Sequence, residues 1–351
     1  MTRGIRLALL SALLFGASTP LAKLLLGEAS PWMVAGLLYL GAGAGLLILR
    51  EIMQARAVST ETPLARADLP WLSLVVLFGG IGGPLLLMLG LARTDAASAS
   101  LLLNLEGLAT MLIAWVVLRE NVDGRLLLGA LAILAGAMVL SWQGGATLGA
   151  GAVFIALACL CWGIDNNLTR KLSSSDPLQI ASVKGVCAGI VNTGIALWLG
   201  GVDGVPGVGV VMAAGVAGFL GYGLSLALFV LALRDLGAAR TGAYFSTAPF
   251  VGAVLALVIF QQAPTPQLVV AGVLMGIGLW LHLTERHEHD HVHEAMEHDH
   301  AHVHDVHHQH DHDHPVVPGQ AHCHRHRHVR LVHRHPHYPD LHHRHDHQHP
   351  H

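Results

Sequence analysis

Ten apolar runs of about 20 residues lie between residues 5 and 283, near 5–26, 31–49, 70–91, 96–118, 125–142, 148–169, 178–199, 209–232, 237–260 and 265–283. Each has the length an α-helix needs to cross the hydrocarbon core of a bilayer. Charges inside the runs are so sparse that nearly all surface must face lipid or other helices, which excludes a soluble core. The chain therefore reads as an all-α membrane protein with ten transmembrane helices. The opening MTRGIRLALLSALLFGASTPLAKLLL has the basic start of a secretory signal, but nine further runs follow, and it reads as a retained first helix.

Many of the 40 glycines fall inside these runs, where small residues let helix backbones approach closely. The spacings Gly41 to Gly45, Gly185 to Gly189 and Gly272 to Gly276 fit such contacts and would permit a homodimer. Cys159, Cys161 and Cys187 read as small apolar side chains in helices, with no disulfide framework or zinc-ribbon spacing.

Direction follows from basic residues, which accumulate on the cytoplasmic side. With the N-terminus inside, the inner segments hold Arg3, Arg6, Arg50, Arg56, Arg66, Arg119, Arg125, Arg170, Lys171, Arg234 and Arg240, against Arg93 and Lys23 outside. Both termini are expected to be cytoplasmic, in a plasma (inner) membrane. Lys23 and Arg93 are expected to snorkel to the headgroups.

The chain also repeats itself. FGASTPLAKL (15–24) parallels WGIDNNLTRK (162–171), and GLARTDAASASLLLNLEG (90–107) parallels LALRDLGAARTGAYFSTAPF (231–250). The offset is about 140 to 147 residues, so each copy holds five helices. Five is odd, which inverts the second copy, and inverted repeats place a binding site near the bilayer midplane between the halves. The expected units are a five-helix repeat at 5–142, a second at 148–283 and a tail at 285–351.

On these residues the chain resembles the EamA family of the drug/metabolite transporter superfamily over about residues 5–283. Phe15-Gly16 and Trp162-Gly163 match the pair that the family carries in the first helix of each repeat, and Pro249 in FSTAPF matches the proline of the fourth. The resemblance implies two five-helix repeats and transport. The first repeat departs from the pattern, with Glu106 in LLNLEG where the proline would stand.

Glu106 lies eleven residues into its run, about 16 Å along a helix rising about 1.5 Å per residue, close to the midplane. A charge there costs roughly 2.5 to 3.5 kcal/mol, so the carboxyl faces a cavity or a partner, or it stays protonated. Either condition suits a carrier that binds a proton or a cationic substrate on one side and releases it on the other. The competing reading is a neutral glutamic acid that serves packing. Asp165, Asn166 and Asn167 in the sixth helix and Lys184 in the seventh lie toward the inner face. An Asp165–Lys184 ion pair would lower both burial costs, as a gate or as a static pair. Tyr244, Ser246 and Thr247 sit at the level of the ninth helix that corresponds to Glu106.

All 27 histidines lie at or after His282. Residues 1–284 carry a net charge of +2 and residues 285–351 carry −5. The tail, 285–351, holds every histidine but His282 and has little apolar content, so disorder without metal is expected. Neutral imidazole binds zinc, nickel, cobalt and copper, and H-x-H units close small loops around an ion. The expected ligands are His287, His289, His291, His293, His298, His300, His302, His304, His307, His308, His310, His312, His314, His322, Cys323 and His324. The first block interleaves acids and attracts cations. The second carries five arginines and opposes them or touches anionic lipid. The rival to metal binding is a polyelectrolyte that titrates around pH 6.5.

No nucleophile elbow, Walker loop or HExxH is present, so neither an enzyme, nor a required cofactor, nor a nucleic-acid partner is expected. Three functions stay open: a secondary transporter exporting a small organic solute, with a metal-binding cytoplasmic tail; a transition-metal carrier fed by that tail; and a membrane-anchored metal sensor or store.

Overall fold

In the computed structural model the described residues are 2–55, 64–118, 124–142, 148–172, 175–201, 204–236 and 238–283, with the backbone of four tail segments. Ten helices are long and apolar enough to span a membrane: α1 (Arg3–Leu25), α2 (Pro31–Ala55), α3 (Arg66–Leu91), α4 (Ala96–Val117), α5 (Gly124–Ser141), α6 (Ala150–Thr169), α7 (Pro177–Gly200), α8 (Val208–Leu233), α9 (Arg240–Ile259) and α10 (Pro266–Leu283). Their outward surface is apolar, as a lipid solvent requires. Ile48, Val117 and Trp198 are among the most exposed large side chains.

The two halves interlock by exchange of like elements. The packing pairs α2 with α7 and α5 with α10, while α1 packs on α8 and α9, and α6 packs on α3 and α4. The α2–α7 seam is a backbone contact: a Cβ on Gly185 would lie 2.7 Å from the Gly43 Cα. Gly41 faces Gly215 and Gly189 faces Leu40 in the same way. The glycine pairs of α2 and α7 are therefore used within one chain, where close approach gains the dispersion contacts that hold helices together in lipid.

Two irregularities recur at matching places of the two repeats. The third helix of each half widens into a π-helical turn, Val76–Gly82 in α3 and Phe219–Leu224 in α8. The fourth helix of each is broken. In α4, Ala96–Leu102 gives way to Leu105–Leu118, and in α9, Ala238–Phe245 gives way to Ala248–Ile259. One and the same offset carries Val76 onto Phe219 and Leu105 onto Ala248, so turn and break belong to the repeat. In α9 the break precedes Pro249, which cannot donate to the preceding turn. The α4 break forms without proline, at Leu103 and Asn104. There the Leu101 carbonyl accepts both the backbone N–H of Asn104 at 3.1 Å and its side-chain Nδ2 at 2.8 Å, so the Asn104 side chain reinforces the turn that ends the first half.

No strand lies in the membrane body among the described residues. In the tail, His287–His293 runs antiparallel to Leu331–His337, and Glu297–His302 to His322–Arg327. The tail histidines and Cys323 fall where no side chain is described. The expectation of tail metal ligation therefore lies outside what is described, and the expectation of disorder lies outside the described residues for all of the tail but these four segments.

Candidate functional site

The π turn of α3 leaves one carbonyl without a helical partner. The Gly83 N–H reaches back to the Phe78 carbonyl, and the next position in register is Pro84, which has no N–H, so Gly79 has no donor in its own helix. Two side chains supply it: Tyr39 Oη from α2 donates to the Gly79 carbonyl at 3.1 Å, and Trp162 Nε1 from α6 donates at 3.1 Å. Asn192 Nδ2 of α7 donates to the neighbouring Gly80 carbonyl at 3.4 Å. This cluster does not stand out in the sequence. Its signal was there in FGGIGGP against FLGYGL, glycine-rich stretches one repeat apart.

Beneath the turn sit Asp165 and Lys184. The Lys184 ammonium lies 2.8 Å from Asp165 Oδ2, with 22% and 5% of their side chains exposed, and Thr169 Oγ1 donates to the other carboxylate oxygen at 3.2 Å. Any side chain at Gly79 would collide with the Asp165 carboxylate, so glycine is required there by close approach. In the other half Ser18, which the repeat aligns with Asp165, sits against Gly221, one residue before the position that matches Gly79, and a Cβ there would stand 2.6 Å from the Ser18 Cβ.

Glu106 lies in the first turn of the second half of α4, where unpaired N–H groups and the helix dipole favour a carboxylate. Asn166 Nδ2 of α6 donates to Glu106 Oε1 and to Thr110 Oγ1, both at 3.1 Å, and Thr110 Oγ1 donates to the Glu106 carbonyl at 2.9 Å. Asn167 Nδ2 donates to the Thr110 and Gly163 carbonyls, and its buried Oδ1 has no partner among the described residues. Asn166 itself is exposed. An amide and a carboxyl facing hydrocarbon would be costly, so this wall faces a cleft.

The half-helices decide where that cleft opens. Ala96–Leu102 of α4 packs against Ala248–Ile259 of α9, and Gly252 is wedged between the Gly16 carbonyl and Ser100. The other two halves make no comparable contact: Leu105–Leu118 packs on α6 and α5, and Ala238–Phe245 packs on α1 and α8. A Cβ on Gly107 or on Gly242 would meet nothing within 4 Å. The protein is thus closed at one end and parted at the end that carries the N-terminus.

The sequence-derived residues divide accordingly. Glu106 joins Asn166, Asp165 joins Lys184, and Asn167 reaches the backbone beside them. Tyr244 and Ser246 are half-buried on α9, and Ser246 Oγ donates to the Gly242 carbonyl of its own helix at 2.7 Å. They are not bonded to Glu106. Lys23 is tied down rather than snorkelling: its ammonium donates to the Leu91 carbonyl at 2.5 Å and to the Thr94 carbonyl at 2.9 Å, closing the end of α3. The Arg93 guanidinium lies 5.2 Å from the Phe154 ring centroid.

Ten spans in two interlocked five-helix repeats, with broken fourth helices and a polar cluster at the breaks, define a membrane transporter. The chain belongs to the EamA-like transporter family, whose model matches residues 2–142 and 149–284. It is 29% identical over 286 residues to an uncharacterized transporter of Methanothermobacter thermautotrophicus, covering 77% of this chain and 83% of that one. It is 23% identical over 279 residues to the uncharacterized transporter YyaM of Bacillus subtilis, covering 75% and 90%. A solved crystal structure shares the fold with a TM-score of 0.59 at 19% identity, covering 79% of this chain and 95% of the other.

Proposed function

We propose that this transporter exports a small organic solute by alternating access, with Glu106 as the carboxyl that couples solute movement to a proton or engages a cationic solute. The observation that carries this reading is the contrast between the half-helices, packed at one end and apart at the other, with Glu106 at the hinge between them. Asn166 and Thr110 orient the carboxyl, and Tyr244 and Ser246, half-buried at the α9 break, are assigned to the solute side of the other half. The basic residues put the parted end in the cytoplasm of a plasma (inner) membrane, with both termini on that side. The Asp165–Lys184 pair serves as a gate at that end. The tail concentrates divalent transition metal near the cleft mouth, a reading supported by its H-x-H units and the acids of its first block.

Proteoliposomes test the assignment. Uptake of labelled amino acids and of zinc is compared for the intact chain, a chain ending at Thr284 and Glu106→Gln. The expected result is amino-acid flux for the intact and shortened chains and a loss of at least tenfold in Glu106→Gln. Unchanged flux in Glu106→Gln removes the coupling role, and zinc flux that depends on the tail favours a metal carrier instead.

A further inference from the structure

We infer that Tyr39 is a positioning residue that couples the two π turns, so that the halves of the transporter change state together. The inference rests on the transport reading above and adds the part that links the hinges.

The π turns are the irregular segments of α3 and α8, and such turns interrupt the ladder that otherwise keeps a helix stiff. One side chain touches both. The Tyr39 hydroxyl donates to the orphan carbonyl of Gly79 in the first turn, while its ring lies 5.6 Å from the ring of Tyr222 in the second. Tyr222 is the fourth residue of its turn, as Gly79 is of the first, so the two hold matching places in the repeats. Tyr222 also meets Phe15 edge-on at 5.9 Å, and Phe15 contacts Phe245 at 5.2 Å, just before the break in α9. A continuous set of contacts therefore runs from the α3 turn to the broken helix of the opposite half.

The link is one-sided. The segment of α7 corresponding to Tyr39, residues 182–186, reads SVKGV and holds no aromatic residue. The second turn has Ala227 where the first has Pro84, so it needs no outside donor of the kind Gly79 does. Trp162 also donates to Gly79 but belongs to α6, which packs on α3 rather than on α8. Among the described residues, Tyr39 alone has a hydroxyl for one turn and a ring against the other.

Tyr39→Phe keeps the ring and removes the hydroxyl, whereas Tyr39→Leu removes both. Hydrogen–deuterium exchange of the full chain in nanodiscs reads each turn. Double electron–electron resonance between labels at Val117 and Arg240, on the two parted half-helices, reads the change of state. In Tyr39→Phe, exchange over residues 76–83 is expected to rise at least tenfold, residues 219–224 to stay protected, and the label distance to broaden into two populations. In Tyr39→Leu both segments should loosen. Unchanged exchange over 76–83 in Tyr39→Phe would overturn the inference. So would loosening there with a single, unmoved label distance, or an equal rise in both segments with a lowered Tm, which marks a merely structural residue. None of these readouts needs a transported solute, so an absence of flux in the intact chain would count against the transport reading alone.

Discussion

At the break in α4 the first repeat carries Glu106, and at the matching break in α9 the second carries Pro249, each the second residue of its half-helix. The backbone does nearly the same thing in both places, while the chemistry differs. One helix earlier the π turns recur as well, but the first packs on the Asp165 carboxylate through Gly79, while the second packs on Ser18 through Gly221, one residue before the matching position. Helix breaks and π turns thus recur with the repeat, whereas the charges do not. A symmetric frame gives two matched breaks, and the polar groups on it are asymmetric, with Glu106 and the Asp165–Lys184 pair on the side of the first break and turn.

The largest effect is expected where the comparison is most unequal. Asp165→Asn leaves the Lys184 ammonium without its partner in a largely buried setting, and removal of one member of a buried pair costs about 3–5 kcal/mol. Thermal unfolding in detergent should show a large fall in Tm, and the double variant Asp165→Asn with Lys184→Met should recover most of it. No recovery would mean the pair is not what the turn rests on. Replacing Ser18 by Ala, at the neutral counterpart, removes a hydrogen bond to the Phe15 carbonyl worth about 1 kcal/mol and should lower Tm far less.

A sharper test makes the first repeat resemble the second. Glu106→Pro puts proline at the second residue of the half-helix, where Pro249 already stands. It loses the bond from the Glu106 N–H to the Leu103 carbonyl, worth about 1 kcal/mol, while solute flux should vanish. Collapse of the fold would show that the α4 break depends on its own side chains rather than on the repeat.

The smallest effect is expected for Pro249→Ala. Thr247 Oγ1 still donates to the Tyr244 carbonyl at 2.6 Å, and the Gly252 contact with Gly16 is untouched. A stability change within about 0.5 kcal/mol, read by thermal unfolding, is expected, as for substitutions away from buried polar or strained features. A straightened α9, read by a longer protected stretch across residues 242–250 in hydrogen exchange, would show that proline rather than packing holds the break.

Much of this was legible in the residues. Ten runs of the right length and spacing give ten helices because lipid leaves the backbone no other partner. Glu106, Asp165 and Lys184 stood out because a charge in such a run is expensive and so rarely incidental. Tyr39 did not stand out: one tyrosine in an apolar helix looks like any other until the helix carrying its acceptor is known. Trp162 showed only as part of a motif, since its hydrogen bond to Gly79 crosses 83 residues of chain.

The sequence by itself determined the number of spans, their repetition and the rank of the costly side chains, because hydropathy and periodicity are local properties written into each run. The tertiary structure decided which half-helices touch, which carbonyl is left open and which ring closes it. Those outcomes depend on how ten helices are shared between two interlocked halves, and no single run contains that information.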